Sequence, residues 1–208
     1  MLITVHHLEK SRSSRIIWAL EELELNYDIE YYKRSPTFIA PPELKKIHPL
    51  GKAPILTDRG VAYAESGAIL EYLRLEYAKS QPDDIHQYNF WLHYAEGSLM
   101  PLFVFKLVLG LVTPKAPFLI RPVAHKITRG IEQSFIEPRL KDHIEYVEQF
   151  LGKHEYMAGE FSFADIQMVF PLKVLSTRTE LPIPNILNYL QRLEARPAYQ
   201  RAQRHDID

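Results

Sequence analysis

The first third of the chain alternates between strand-like and helix-like spacing of apolar residues, and this alternation restricts the folds open to it. Residues 2–6, LITVH, are apolar and β-branched, which is typical of a strand. From Ser13 to Leu25 the apolar residues recur at helical spacing, and the segment from Tyr27 to Lys33 predicts a second strand. Strand, helix and strand in this order indicate the opening of an α/β domain.

The residues that follow predict a hairpin and a further helix. Two short apolar runs, 54–57 and 61–63, flank a three-residue connection that ends in Gly60, which is typical of a β-hairpin with a bulge. Helical spacing then returns at Ile69, Leu70, Leu73 and Tyr77. A βαβ unit followed by a hairpin and a helix is the order of elements in a thioredoxin-like domain. We therefore predict such a domain over residues 1–78.

The remainder of the chain predicts a different architecture. Residues 79–86 are polar and contain a proline, which is typical of a linker between domains. Beyond them we find no convincing strand pattern, and we predict an all-helical bundle over residues 87–208. A kink is expected in its first helix, where Pro101 removes an amide donor. The apolar face of that helix consists of Tyr88, Trp91, Leu92, Ala95, Leu99 and Leu102.

Composition excludes several kinds of chemistry. The 208 residues include no cysteine, so disulfides, cysteine-ligated metals and a cysteine nucleophile are excluded. His6 and His7 would point to opposite faces of a strand, the other histidines show no metal-binding spacing, and no metal is predicted. The formal net charge of -1 favours neither nucleic acid nor an anionic membrane as a partner.

Two apolar segments bear on the location of the protein. Residues 99–112 contain an internal Lys106 and are shorter than the roughly 20 residues of a membrane span, so we expect a buried helix or a pocket wall. The first ten residues lack the pattern of a secretory signal. A cytoplasmic protein with no membrane partner is therefore expected.

One motif in the second half has a structural explanation. In FSFADI (161–166), Ser162 and Asp165 have the spacing of a capping box, in which each side chain bonds the other residue's amide. We therefore predict a capped helix at this point and do not include these two residues in the candidate site.

Four motifs together carry a resemblance to a known family. They are SRSSR (11–15), HPLGKAPIL (48–56), AESGAILEYL (64–73) and FSFADI (161–166). In this order the chain resembles the glutathione S-transferases over essentially its whole length, and the four-residue offset from Ser11 to Arg15 resembles theta-like members. His48 and Ala53 depart from the usual asparagine and valine, which weakens the assignment to a subclass.

The resemblance implies an activity and an assembly. Glutathione would be the co-substrate, and its thiolate would attack a hydrophobic electrophile or a peroxide in detoxification. A homodimer would form through the third helix of the first domain and the long helices of the second. Some proteins of this fold, such as elongation-factor subunits and the stringent starvation protein, act instead as non-catalytic interaction modules, and this alternative stays open.

The resemblance also implies roles at the start of the first helix. Ser11 is the first candidate to donate a hydrogen bond to the glutathione thiolate, and Ser13 is the second. A helix N-terminus favours an anion at that position. From the local sequence alone, the same serines are ordinary helix caps. By charge, Lys10, Arg12 and Arg15 suit the carboxylates and thiolate of glutathione. For Arg15 we favour the alternative that it pairs with a carboxylate of the second domain and stabilises the fold.

The remaining candidate residues would hold the rest of glutathione. Ala53 and Pro54, joined by a cis bond, would present backbone groups to its cysteine, and Lys52 would lie near its glycine carboxylate. Glu65 would meet the ammonium group and Ser66 the γ-glutamyl carboxylate.

Simpler explanations remain for some of these residues. Lys52 also fits a solvated turn, and Ser66 also fits a plain N-cap. Phe103, Phe105 and Leu109 are candidates for the wall of the hydrophobic substrate pocket, although each also fits plain bundle core.

Overall fold

The structure is a computed structural model that describes residues 2–35, 37 and 39–205. Its N-terminal part is a small sheet with helices packed on it, as predicted. In chain order the elements are β1 (Ile3–Leu8), α1 (Ser13–Glu22), β2 (Tyr27–Tyr32), α2 (Leu44–Ile47), β3 (Ile55–Asp58), β4 (Val61–Ala64) and α3 (Ser66–Tyr77).

The sheet has the strand order β2-β1-β3-β4. Strand β1 pairs in parallel with β2 and antiparallel with β3, which forms the predicted hairpin with β4. The central strand β1 is buried on both faces: Val5 belongs to the main core with α1 and α3, whereas Leu8 packs with Leu44 of α2 and with Ile55. The predicted thioredoxin-like architecture is confirmed.

The second part of the chain is a helical bundle, also as predicted. Its first helix begins at Ile85, inside the predicted linker, because the Asp84 side chain accepts hydrogen bonds from the amides of His86 and Gln87 and so caps the helix. The helices are α4 (Ile85–Tyr94), α5 (Met100–Lys115), α6 (Arg121–Ile131), α7 (Glu137–Leu151), α8 (Phe163–Ser176), α9 (Pro184–Glu194) and α10 (Pro197–Gln203).

Two pairs of helices are joined by single π-helical turns. Ala95–Leu99 connects α4 to α5, and Glu132–Ile136 connects α6 to α7. In both cases a proline, Pro101 or Pro138, follows within two residues of the π-turn and has no amide to donate to the preceding turn. The distortion predicted at Pro101 takes this form, whereas the turn before Pro138 was not predicted.

The predicted capping box starts helix α8. The Ser162 amide donates to Oδ2 of Asp165 at 2.8 Å, and the box is complete in both directions. The other carboxylate oxygen, Oδ1, accepts from the Met157 amide at 2.9 Å and from the Tyr189 hydroxyl at 2.8 Å. Burial raises the pKa of Asp165 above its ordinary value. Asp165 therefore connects α8 to α9 and to the preceding loop, which is a structural role.

Residues 99–112 were expected to form a buried helix or a pocket wall, and the expectation of burial is wrong for their second half. Leu99, Met100, Leu102 and Phe103 are buried, but α5 then leaves the core and packs mainly against α6. By length and composition, the continuous helix Ile85–Lys115 could cross a membrane. The large exposed apolar side chains of α5 are Val104, Phe105, Leu107, Val108, Leu111 and Val112.

Candidate active site

Strand register brings most of the candidate site residues to one edge of the sheet. His6 of β1 is paired with Ile55 of β3, and Ile55 is paired with Ala64 of β4. The segments that follow β1, precede β3 and follow β4 therefore meet at this edge, because neighbouring antiparallel strands place opposite chain ends side by side. These segments contain Ser11, Ser13, Lys52, Ala53, Pro54, Glu65 and Ser66.

Between β1 and α1, two serines and a histidine form a hydrogen-bonded chain. Ser11 Oγ lies 2.7 Å from Ser13 Oγ and accepts from the Ser13 amide at 3.2 Å. Ser13 Oγ lies 2.9 Å from Nδ1 of His7 and 3.4 Å from the Leu8 carbonyl oxygen. Sequence reasoning did not include His7 in the site, because nothing local links this strand residue to a serine six positions later.

The two candidate serines differ in accessibility. Ser13 is completely buried, whereas Ser11 is half-buried and lines a cavity of about 460 Å³. A molecule in the cavity can therefore reach the Ser11 hydroxyl but not that of Ser13. The cavity is lined by Lys10, Ser11, Ser14, Arg15, Trp18, Val169, Phe170, Lys173, Tyr199 and Gln203, which come from both domains.

The electrostatic surroundings of this turn favour an anion. Helix α1 has no carboxylate in its first turn, so its positive N-terminal potential is not neutralised there.

Burial lowers the pKa of His7 below its ordinary value, and the nearby His205 lowers it further. His7 is therefore neutral at neutral pH.

Arg15 pairs with a carboxylate of the second domain, as predicted. Its Nη1 donates to Oε1 of Glu96 at 2.6 Å and to Oε1 of Gln167 at 3.1 Å. Burial lowers the pKa of Arg15 to about 10, although Glu96 opposes the shift. Burial also acts to raise the pKa of Glu96, but Arg15 and Arg12 outweigh it and hold this pKa below its ordinary value. Both side chains are therefore charged at neutral pH.

Gln167 extends this network to the start of α3. Its Nε2 donates to Ser66 Oγ at 3.0 Å, so Glu96, Arg15, Gln167 and Ser66 form one connected path. Because Ser66 Oγ accepts from Gln167, its own hydrogen stays available for an outside acceptor. Sequence reasoning missed Gln167, although a polar residue within the apolar run FADIQMVF was a usable signal.

The backbone on either side of the hairpin has two unusual features. The Ala53–Pro54 bond is cis, as expected from the resemblance. Glu65 has a φ of 73°, a left-handed conformation that costs a residue other than glycine about 1–3 kcal/mol. Its side chain is exposed, and so is that of Lys52.

The three residues predicted to form a hydrophobic pocket wall are not brought together with Ser11. Phe103 is buried in the bundle core, Phe105 is exposed and Leu109 is half-buried. None of them lines the cavity beside Ser11 or a second cavity of about 400 Å³ near the interdomain linker. Among the residues that the structure describes, no three histidine or carboxylate side chains cluster as a metal site.

Comparison with known proteins decides the family. Residues 1–74 match the model of the glutathione S-transferase N-terminal domain. Glutathione S-transferase 3 of Schizosaccharomyces pombe is 37% identical over an alignment that covers 95% of this chain and 85% of that protein. The chain belongs to the glutathione S-transferase family. Glutathione S-transferase 1 of Saccharomyces cerevisiae is 38% identical, with coverage of 85% and 82%.

Solved structures agree with this family assignment. A glutathione S-transferase from Actinobacillus pleuropneumoniae has a TM-score of 0.75 and 30% identity, with 99% of this chain and 93% of that chain covered. A glutathione transferase homologue from Sulfitobacter with bound glutathione has a TM-score of 0.74 at 18% identity, covering 98% and 97%. This second likeness concerns the fold alone. The transferase fold of this family member thus extends over both of its domains.

Proposed function

We propose that this protein is a glutathione transferase that stabilises the glutathione thiolate next to Ser11 for attack on an electrophile. The observation that carries the proposal is the chain from His7 through Ser13 to Ser11, which ends at a cavity between the two domains. Membership of the family supports glutathione as the co-substrate.

The edge of the sheet has groups that match each end of glutathione. Ser66 is the first residue of α3, so its hydroxyl and the N-terminal helix amides suit the γ-glutamyl carboxylate. Glu65 beside it suits the ammonium group. The Ala53 backbone would pair with that of the glutathione cysteine, and the exposed Lys52 would meet the glycine carboxylate.

The buried histidine gives the Ser11 hydroxyl a defined direction. With a hydrogen on Nδ1, neutral His7 donates to Ser13, and Ser13 donates to Ser11. The Ser11 hydrogen is then left to donate to the sulfur. A hydrogen bond to a thiolate favours the anion over the thiol, so the pKa of bound glutathione would fall below its value in water.

The reaction follows from these positions. The thiol proton passes to solvent, and the thiolate forms a bond to an electrophilic carbon while the leaving group departs with its electron pair. With a peroxide, the sulfur attacks oxygen, an alcohol leaves, and a second glutathione converts the sulfenic acid to the disulfide and water.

We assign the electrophile to the cavity beside Ser11, where Trp18, Val169 and Phe170 supply apolar surface. Phe103 is closed off by its burial in the bundle core. Phe105 and Leu109, on the accessible part of α5, remain proposed contacts for a larger substrate.

Ser11→Ala with Ser14→Ala as its matched control tests the mechanism. Loss of a hydrogen bond to a charged group costs about 1.5–3 kcal/mol, so kcat/KM for conjugation should fall about 10–100-fold in Ser11→Ala. In the same variant, the pKa of the bound glutathione thiol, followed by thiolate absorbance, should rise. Ser14 also lines the cavity but donates to the Ser11 carbonyl, and its replacement should change kcat/KM little.

Two results would contradict the proposal in different ways. If wild type conjugates well and Ser11→Ala is unimpaired, the thiolate is stabilised elsewhere. If calorimetry detects no glutathione binding to the wild type, the non-catalytic interaction module becomes the better explanation.

A further inference from the structure

We propose that the tip of the α5–α6 hairpin, residues 115–127, docks on an anionic lipid surface. We call this segment the hairpin apex. The proposal departs from the sequence-based expectation of no membrane partner and does not depend on the proposed transferase activity. It concerns a surface contact, with the helices lying at the lipid headgroups.

The hairpin apex carries the most exposed large apolar side chains among the described residues. Leu119 is 87% exposed and Phe118 is 79% exposed. From residue 104 to residue 135, Thr128 alone is buried, so this part of the hairpin contributes little to the core of the chain. Contiguous apolar surface of this kind marks a site of interaction, because water contact with it is unfavourable.

Helix α6 has the pattern of a helix that lies at a membrane interface. Val123, Ile127 and Ile131 recur every fourth residue and are exposed, so they form one apolar stripe along the helix. At 100° per residue, Arg121 and Lys126 fall on the two flanks of this stripe. Long basic side chains at the flanks reach phosphate groups while the apolar stripe enters the acyl boundary.

The charge of the hairpin apex and of the helices beside it complements anionic lipid. This longer stretch, residues 97–131, contains no Asp or Glu, although the whole chain has a net charge of -1. Their cations are Lys106, Lys115, Arg121, Lys126 and Arg129. Lys106 is paired with Glu132, and Arg121 donates to the carbonyls of Ala116 and Pro114. Lys115, Lys126 and Arg129 are exposed and would add to the attraction of anionic headgroups.

The same positive charge disfavours a second copy of the chain as the partner that covers the hairpin apex. A two-fold contact through the apex would bring this all-basic surface against itself, with repulsion at each approach. A transmembrane orientation is also disfavoured, because the first half of the continuous helix Ile85–Lys115 has Tyr88 and Trp91 buried in the protein core.

Vesicle co-sedimentation tests the proposal with the full chain. Wild type should sediment with vesicles of phosphatidylcholine and phosphatidylserine, and less with phosphatidylcholine alone. The double variant Phe118→Ser/Leu119→Ser should bind at least about ten-fold more weakly, since two large apolar groups are lost from the contact. Its matched control is Ile39→Ser/Leu187→Ser, which changes two exposed apolar residues elsewhere and should bind like the wild type.

A charge variant gives a second, independent measurement. Lys115→Gln/Lys126→Gln should lose about five-fold in binding per cation on anionic vesicles. Lys46→Gln/Lys153→Gln, with two exposed lysines elsewhere, should not. Comparison of these two lysine variants also tests the proposal if the Phe118→Ser/Leu119→Ser variant fails to fold, which its circular dichroism would reveal.

Several outcomes would overturn the proposal. In the first two, the wild type does not sediment with any vesicles, or the apex and control variants bind equally well. A third such outcome is that the wild type binds vesicles equally well with and without phosphatidylserine. A fourth is a wild-type oligomer that dissociates in the Phe118→Ser/Leu119→Ser variant without any vesicle binding, since a second copy would then cover the apex.

Discussion

At the scale of single residues, the site depends on which polar atoms are already paired. Ser13 and Ser66 are both buried hydroxyls, but their partners differ. Ser13 is held between Ser11 and His7, whereas Ser66 accepts from Gln167 and keeps its hydrogen for a ligand. From this difference we propose that Ser13 positions Ser11 and that Ser66 binds the ligand.

Ser66→Ala should weaken glutathione binding. A hydrogen bond to a carboxylate contributes about 1.5–3 kcal/mol, so the Kd should rise about 10–100-fold by calorimetry. Ser98→Ala changes an exposed serine in the helical domain and should leave the Kd unchanged. An unaltered Kd in Ser66→Ala would remove the γ-glutamyl carboxylate from this position.

At the scale of elements, β1 buries two adjacent histidines on opposite faces of the sheet. Burial is the main cause that lowers the pKa of both His6 and His7, even though Glu30 acts to raise that of His6. Both are therefore neutral in the folded protein at neutral pH. In the unfolded chain they would take up protons more readily.

Acid should therefore destabilise the fold through this strand. Because the folded pKa lies below the ordinary 6.5, the contribution of each histidine is complete above 6.5 and is lost as pH falls through the folded value. Urea unfolding should give a free energy that falls by at most about 1.4 kcal/mol per pH unit per histidine. His7→Asn should show a shallower decline than wild type, whereas exposed His86→Asn should not.

At the scale of the whole molecule, the ion pair of the buried Arg15 with Glu96 joins the two domains beside the candidate site. Arg15 of α1 contacts Glu96 in the π-helical turn of the bundle, and Gln167 of α8 links Arg15 to α3. Arg12 also pairs with Glu96, at 2.9 Å. The orientation of the two domains and the position of the site residues are thus coupled.

Glu96→Gln should destabilise the protein strongly. The change leaves the buried Arg15 guanidinium without a counter-charge, which costs about 3–5 kcal/mol of unfolding free energy. Glu145→Gln removes the exposed partner of Lys141 and should change stability by less than about 1 kcal/mol. Equal urea midpoints for the two variants would show that the Arg15 pair contributes no more than a surface pair.

The assembly is a further proposal at this scale. We propose a homodimer through α3 and the long bundle helices, at the part where Leu75 and Phe90 are exposed. Phe90 lies about 37 Å before Lys115 along the continuous helix Ile85–Lys115, so this contact leaves the hairpin apex uncovered. Light scattering at micromolar concentration should give twice the mass of the 208-residue chain. Leu75→Glu should shift it towards one chain mass, and Leu187→Glu on α9 should not. A wild-type monomer would contradict this assembly.

The spacing of residues within short segments determined most of the secondary structure and one helix cap of this protein. The switch from strand to helix periodicity, the Ser162–Asp165 box and the hairpin turn are properties of neighbouring residues, so each could be predicted from short segments. Arg15 was assigned to an interdomain ion pair without its partner being identified. The resemblance supplied the remaining candidate residues of the sheet edge.

Only the tertiary structure decided which of those residues face a cavity. Ser11 lines it and Ser13 does not, His7 and Gln167 join the polar network, and the second half of α5 leaves the core. Each outcome depends on contacts between distant segments, where packing determines whether a side chain is covered, paired or exposed. Apolar spacing predicts that a helix has a face to bury, but it carries no information on what lies against that face.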